Sequence, residues 1–358
     1  MANIMLTDVC NLHCPYCFAN EFVNREVNEI SVENFKKAVD FIATEANPRV
    51  GLIGGEPTLH SHLRELLQIV IGDQRLQNVV LFTNAVKIEE YAKELSHPKF
   101  HILVNCNSPE DIGQVAFDKM CDNLDKLINQ YYLKERITLG INIYKSDFQY
   151  DYLLKLLKKY GFDHVRMSIV VPNTSAKRDF NVKNYFLDIK PKFKEFIYAM
   201  LSNGIMPTYD CNKMPFCLLT EDELVSFDTL IRKKKAEWEA AHQKPLLLPY
   251  TDAAIYTDMV HCSPVIDIRQ DLTAVRCFGL SDCTKVKITD FKTIGDLRNY
   301  YTNEIDAYAY KLGVMKECDT CYKRKTLRCS GGCLAFKIKD ILELGKQVDT
   351  YLGGKRNG

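Results

Sequence analysis

The stretch Ile4-Met-Leu-Thr-Asp-Val-Cys10-Asn-Leu-His-Cys14-Pro-Tyr-Cys17 decides how the rest of the chain is read. Ile4 to Thr7 predicts a first strand, and it opens directly into three cysteines spaced Cys-x3-Cys-x2-Cys. Three thiolates within eight residues can converge on one metal or cluster, because a loop of this size brings all three sulfurs together. A zinc site would need a fourth ligand, and His13 is at hand. A [4Fe–4S] cube held by only three cysteines keeps one iron open for a small chelating ligand. The plainest alternative is three buried loop cysteines.

Outward from that loop, the first two hundred residues alternate short apolar runs with longer amphipathic ones. Strands are predicted at Ile4 to Thr7, Arg49 to Ile53, Val79 to Thr83, Ile102 to Asn105, Thr138 to Ile143 and Val165 to Val171. Helices are predicted at Val32 to Thr44, Leu63 to Ile71, Ile88 to Leu95, Gln114 to Tyr132, Tyr152 to Lys159 and Lys192 to Leu201. Ser31 caps the first helix with Asn34 in place of an acidic third residue, so only half a capping box is present. Strands followed by helices in this way build a parallel sheet through right-handed crossovers. Periodicity alone does not separate an open sheet from a partial barrel.

Near Gly204 the pattern changes to turns and cysteines. A helix is predicted at Asp222 to Ala241, whose Lys233-Lys234-Lys235 run reads as a solvated face. Short strands are predicted at Asp252 to Thr257, Val265 to Arg269 and Ala274 to Cys277, the last two joined by a turn at Asp271-Leu272. A final helix is predicted at Leu334 to Leu344, and Gly353 to Gly358 should fray.

Composition narrows the class. The 358 residues suffice for about two domains. A 46% hydrophobic and 26% charged chain is globular rather than disordered. Forty-seven basic against 46 acidic residues give a net charge of +1, which argues against nucleic acid as a partner. No apolar run is long enough to span a membrane, and the N-terminus lacks the basic region of a signal peptide. Fourteen cysteines without a secretion signal read as metal or cluster ligands before disulfides, in a reducing, cytoplasmic and oxygen-poor setting. Nine of them fall between Cys211 and Cys333. Cys262 and Cys277 are separated by 14 residues, and Cys318-x2-Cys321-x7-Cys329-x3-Cys333 follows. Zinc knuckles bracing a small domain are the plain alternative there. Gly331-Gly332 suits a tight turn around a metal core.

Cys-x3-Cys-x2-Cys after a first strand resembles the signature of the radical S-adenosylmethionine enzymes, and Gly54-Gly55-Glu56-Pro57 after the second strand resembles that family's second hallmark. The resemblance implies a partial (β/α)6 barrel of TIM type over residues 1–204, in an α/β chain. It implies that Cys10, Cys14 and Cys17 hold a catalytic [4Fe–4S] cluster whose open iron binds the amino and carboxylate groups of S-adenosylmethionine. Tyr16 would lie against the adenine, and Gly54, Gly55, Glu56 and Pro57 would meet the methionine amino group. Asn105, Ser108, Asn142 and Arg166, at or after the ends of strands four to six, are further candidate contacts, with Thr83 and Asn84 at the border.

The C-terminal cysteines resemble a SPASM domain, implying a small cysteine-rich α+β unit over residues 205–358 with a C-terminal helix. By that resemblance Cys262, Cys277 and Cys333 serve one auxiliary iron–sulfur cluster, and Cys318, Cys321 and Cys329 a second. No cysteine follows Cys333, so the fourth ligand of the second cluster is left to Cys283, to a carboxylate such as Asp340 or Asp349, or to none. Cys211 or Cys217 would complete the first cluster.

The implied chemistry is reductive cleavage of S-adenosylmethionine to a 5′-deoxyadenosyl radical, followed by oxidation of a peptide side chain, with crosslinking as the expected outcome. Phe278 stands where sulfatase maturases resembling this chain carry an Asp, which weighs toward a maturase of ribosomally made peptides. Cys10 leaves no room for an N-terminal recognition domain, so leader docking elsewhere or a separate recognition protein is expected. Flavodoxin or ferredoxin is the expected reductant. Alternatives are a small-molecule radical dehydrogenase, a peptide epimerase and a sulfatase-maturase-like enzyme. A non-enzymatic iron–sulfur scaffold would leave Gly54 to Pro57 unexplained.

Overall fold

The computed structural model describes residues 1–17, 19, 23–24, 27–171, 181–210, 212–243, 262, 264–280, 284–326 and 328–337. Ten strands form a single sheet. They are β1 (Ala2–Met5), β2 (Arg49–Ile53), β3 (Asn78–Thr83), β4 (Phe100–Asn105), β5 (Ile137–Ile143), β6 (His164–Ile169), β7 (Met206–Tyr209), β8 (Ile266–Ile268), β9 (Thr273–Val275) and β10 (Val286–Lys287). Their order is β10-β9-β8-β1-β2-β3-β4-β5-β6-β7. All neighbours from β8 through β1 to β7 are parallel, whereas β8–β9 and β9–β10 are antiparallel. The edge strands β7 and β10 are not paired with each other, so the sheet is an open, mixed α/β arrangement in the manner of a partial barrel.

The helices between the strands are those the apolar spacing predicts, with shifted ends. They are Val32–Ile42, Leu63–Gly72, the 3-10 turn Ile88–Tyr91 continuing into Ala92–Leu95, Gln114–Asn129 and Asp151–Tyr160. Ser31 Oγ accepts from Asn34 N at 3.1 Å, the half capping box expected. The Asn34 amide instead donates to Gln270 O at 3.0 Å, tying this helix to the β8–β9 turn. One helix is longer than predicted: Val182–Ser202 runs through Pro191. Proline cannot donate to the carbonyl four residues back, here on Leu187. Leu187 is 39% exposed, so water reaches that turn. Phe186, Ile189, Phe193, Phe196, Ile197 and Met200 meanwhile keep a continuous apolar stripe buried.

Strand alternation separates two faces. Ala2, Ile4 and Leu6 pack into the main core under the helices, while Met5, Ile53 and Phe278 cluster on the other face with Phe82 against them. The β8–β9 hairpin turns at Asp271-Leu272 as expected, with Leu272 at φ 63° and Thr273 N donating to Asp271 Oδ1 at 2.9 Å. The strand predicted at Asp252 to Thr257 lies outside the described residues. Of the predicted final helix, Leu334–Lys337 is a 3-10 turn and the remainder lies outside them. In the helix Glu221–His242, half-buried Lys234 and Lys235 pair with Glu237 and Glu239, and of the lysine run Lys233 alone is exposed.

Candidate active site

Residues 6 to 17 follow β1 and run across the C-terminal edge of the sheet, where parallel α/β folds build their sites. The loop is fastened to β2 by its own backbone. Gly55 N donates to Thr7 O and Glu56 N to Val9 O, each at 2.8 Å. A Cβ on Gly54 would sit 2.6 Å from Thr7 O, and one on Gly55 would sit 2.4 Å from Val9 O. In this chain, then, the paired glycines let two backbone segments approach one another. Their neighbour Glu56 is buried. Its carboxylate accepts from Thr58 N at 3.1 Å, Thr58 Oγ1 at 2.7 Å, Thr83 Oγ1 at 2.7 Å and Asn84 N at 2.7 Å. Burial raises its pKa against those four hydrogen bonds. Pro57 starts the 3-10 turn that Glu56 caps.

Asn24, which no motif marks, clamps the first cysteine. Its Oδ1 accepts from Cys10 N at 2.8 Å and its Nδ2 donates to Cys10 O at 3.0 Å, at a left-handed φ of 59°. Asn84 Nδ2 donates to Asn11 Oδ1 at 2.8 Å, so the loop, Glu56 and the end of β3 form one hydrogen-bonded unit.

The three thiols are half-buried. Leu12 N donates to Cys10 Sγ at 3.5 Å and Asn107 Nδ2 to Cys14 Sγ at 3.6 Å. Burial pushes Cys10 up to about 11, with the charges of Glu56 and Cys17 adding to it. Burial pushes Cys14 up to about 12, with Cys10 and Cys17 adding, and it raises Cys17 as well. Such thiols ionise when a cation displaces their protons. Among the described residues no three His, Cys, Asp or Glu side chains are disposed around one metal ion. A four-iron cube spreads its thiolates over separate corners. Three mutually repelling thiols with N–H donors on two sulfurs fit such a group.

Tyr16 extends the site toward β5 and β6. Its ring lies 4.9 Å from that of Tyr144. Tyr16 and Asn142 line one cavity. Asn142 Oδ1 accepts from Arg166 Nη1 at 3.0 Å, and Arg166 Nε donates to Asp210 Oδ2 at 3.0 Å. A single chain of side chains thus joins Asn142 on β5 to the residue after β7. Arg166 fits beside Gly140, where a Cβ would come within 2.9 Å of Arg166 Cδ. Ser108 lines the same cavity as Tyr16, Asn142 and Tyr144, with its hydroxyl accepting from Asp111 N at 3.2 Å as a helix cap. Asn105 ends β4 half-buried, opposite Gly140, and does not join this chain of side chains.

The C-terminal thiols form two sets. In the first, Arg276 Nη1 donates to Cys262 Sγ at 3.4 Å. Cys333 foremost, and then Arg276, draw Cys262 down to about 5 against its burial. Arg276 is fully buried, paired with Asp306, and donates through Nη2 to Cys262 O at 2.6 Å. Cys277 packs with Cys262 against Leu280, Ala309 and Leu334. The second set holds Cys318, Cys321 and Cys329, with Cys321 N donating to Cys318 O at 3.2 Å and Gly331 N to Cys329 Sγ at 3.3 Å. Lys337 lies between the sets, buried, donating to Ala309 O at 3.0 Å and Ser330 O at 2.6 Å. Burial lowers it to about 8, opposed by thiolates of both sets. Gly331 and Gly332 take φ +76° and +95°. Cys211 and Cys283, and the carboxylates Asp340 and Asp349, lie outside the described residues.

Comparison with known proteins agrees with this arrangement. Residues 4–149 match the Radical SAM superfamily model. The chain is 38% identical over 99 residues to the 7,8-dihydro-6-hydroxymethylpterin dimethyltransferase of Methanocaldococcus jannaschii, covering 26% of this chain and 19% of that one. It is 24% identical over 165 residues to a GTP 3′,8-cyclase of Clostridium perfringens, covering 43% of this chain and 49% of the cyclase. The chain therefore spans less than half of each of these relatives. Among solved structures, Streptococcus suis SuiB bound to S-adenosylmethionine shares the fold at TM-score 0.61 and 16% identity, over 94% of this chain and 73% of that one. The structure of anSMEcpe with bound AdoMet and the Cp18Cys peptide does so at TM-score 0.61 and 17% identity, over 94% and 90%. Residues 4–149 are thus similar to a radical S-adenosylmethionine domain. Over most of its length the chain shares the fold of these two structures.

Proposed function

We propose that the chain is an oxidoreductase that cleaves S-adenosylmethionine reductively and oxidises a peptide side chain, forming a crosslink. The observation that carries this reading is the pairing of the Cys10–Cys14–Cys17 loop, at the C-terminal edge of the sheet, with two further thiol sets in the C-terminal part. When bound, a [4Fe–4S] cluster at Cys10, Cys14 and Cys17 supplies the electron that splits S-adenosylmethionine into methionine and a 5′-deoxyadenosyl radical. The chain's own residues do the rest. Asn24 and Asn107 fix Cys10 and Cys14. Tyr16, Ser108 and Asn142 offer an aromatic face and polar groups beside the thiols for the nucleoside. Gly54 to Pro57, with Glu56, would hold the methionine end. Met5, Ile53, Phe82 and Phe278 keep the concave face apolar and exclude water.

Cys262, Cys277 and Cys333, with Arg276 donating to Cys262, suit a group that accepts the electron leaving the substrate radical. That the shared fold includes a structure of SuiB with its precursor peptide SuiA, and one of anSMEcpe with a peptide, supports a peptide as substrate. Flavodoxin or ferredoxin would supply the electron, in a cytoplasmic, oxygen-poor host.

Anaerobic single turnover with short peptides encoded beside the gene, read by high-resolution mass spectrometry, tests the reading. The expected product has lost two hydrogens. Cys262→Ala and Cys277→Ala should stop product formation more severely than uncoupled S-adenosylmethionine cleavage. Uptake of one deuterium from heavy water without net hydrogen loss would contradict crosslinking in favour of epimerisation. Turnover of a sugar or alcohol but no peptide would contradict the substrate class.

A further inference from the structure

We infer that Cys217 is the fourth thiolate of the second auxiliary cluster, closing a site with Cys318, Cys321 and Cys329. The inference rests on the reading that these C-terminal cysteines hold an iron–sulfur cluster. In sequence Cys217 stands 101 residues before Cys318.

The fold brings the two segments together along one helix. Cys217 sits in the 3-10 turn Phe216–Leu218, and Lys190 Nζ donates to Leu218 O at 3.0 Å. Cys318 sits in the 3-10 turn Lys316–Asp319, and Lys183 pairs with Glu317 beside it. Lys183 and Lys190 both belong to the helix Val182–Ser202. Residues seven apart lie on one helix face, displaced by about 10 Å along the axis. That face therefore carries both cysteine-bearing turns.

The second observation is electrostatic. The thiols whose charges bear on Cys217 are Cys318, Cys329 and Cys321. Cys329 and Cys321 in turn bear on Cys318. Four thiols that repel one another as anions, with a backbone N–H already donating to Cys329, are a disposition that a cationic cluster relieves. Four cysteines are also the full complement of a [4Fe–4S] cube with no open iron. The second cluster would then be fully ligated by protein. Its role would be to pass or hold electrons, since no iron remains for substrate. Cys217 is exposed, so the fourth corner faces the surface, where an electron-donor protein can approach.

The test uses the full chain with Cys10, Cys14 and Cys17 all replaced by Ala, so that iron reports on the C-terminal sites alone. Mössbauer and electron paramagnetic resonance spectra of this background should show [4Fe–4S] clusters. Adding Cys217→Ala should convert one of them to a [3Fe–4S] form or lose it, a loss of about one to four irons per chain. Cys217→Ser should restore a four-iron cluster with an altered spectrum. Cys283→Ala and Cys211→Ala should leave the second cluster unchanged. Unaltered spectra in Cys217→Ala, or loss on Cys283→Ala instead, would overturn the assignment of Cys217. A background without iron would overturn the cluster reading itself.

Discussion

At the scale of single residues, the site is held by side chains that touch the backbone of the cysteine loop as much as by the cysteines. Asn24 satisfies both the N–H and the carbonyl of Cys10, and Glu56 takes donors from Thr58, Thr83 and Asn84. Removing Glu56 would leave buried donors unpaired, at about 1 to 3 kcal/mol each, whereas the exposed Asn24–Cys10 bonds would exchange for water. The cysteines and Gly54 to Pro57 were legible because their spacing is local. Asn24 was not, because one asparagine outside any repeat carries no pattern, and only its left-handed φ shows why Asn stands there. On the concave face, Asp267 accepts from Asn3 Nδ2 at 2.7 Å and from Phe278 N at 2.9 Å. Burial raises it to about 7, with Arg276 opposing; Tyr301 is the other titratable group near it. A carboxyl raised on folding favours the native state fully below its unfolded pKa, near 4. That contribution is lost as pH rises through about 7. Asp267→Asn removes the titration, so its urea midpoint should gain on that of the unsubstituted chain as the pH rises between these two values. A constant difference across that range would contradict the burial argument.

At the scale of elements, β2 is predicted to the residue and the neighbouring helices to within a few, because apolar spacing reports directly on a buried face. Several features escaped, the helix Ile294–Tyr300 among them. β7 is four residues long and contains Pro207, which argues against a central strand and is tolerated here because β7 is an edge. β10 has only two residues. The helix Val182–Ser202 passes through a proline that usually ends one. The Cys329–Cys333 turn was read correctly as needing glycine, but the obstacle is the chain itself. A Cβ on Gly331 would lie 2.7 Å from Leu312 O, and one on Gly332 would lie 2.6 Å from Val314 Cγ2. Gly331→Ala should therefore cost about 1 to 2 kcal/mol in backbone strain alone, before the clash. Iron bound at the C-terminal thiols should fall while the N-terminal loop keeps its own. Gly295→Ala, in the helix Ile294–Tyr300, meets nothing nearer than 3.5 Å and should be neutral or stabilising. Equal iron content and equal melting in the two variants would contradict this.

At the scale of the molecule, the two thiol sets adjoin each other, with buried Lys337 donating to Ala309 O and Ser330 O where thiolates of both bear on it. The helix Val182–Ser202 meets the C-terminal segment through Phe186 and Phe336, whose rings are 5.6 Å apart. Sequence spacing showed the members of each local pair, but not that the turns bearing Cys217 and Cys318 meet one helix, since segments 101 residues apart leave no periodic trace. Among the described residues no helix is long and apolar enough to cross a membrane. Every step of the account depends on the N-terminal trio acting with S-adenosylmethionine. Protein reconstituted anaerobically with iron and sulfide and reduced by dithionite should convert S-adenosylmethionine to methionine and 5′-deoxyadenosine, measured by chromatography. Replacing Cys10, Cys14 and Cys17 together by Ala should abolish that conversion while the C-terminal thiols retain iron. Cleavage that persists in the triple variant would contradict the account.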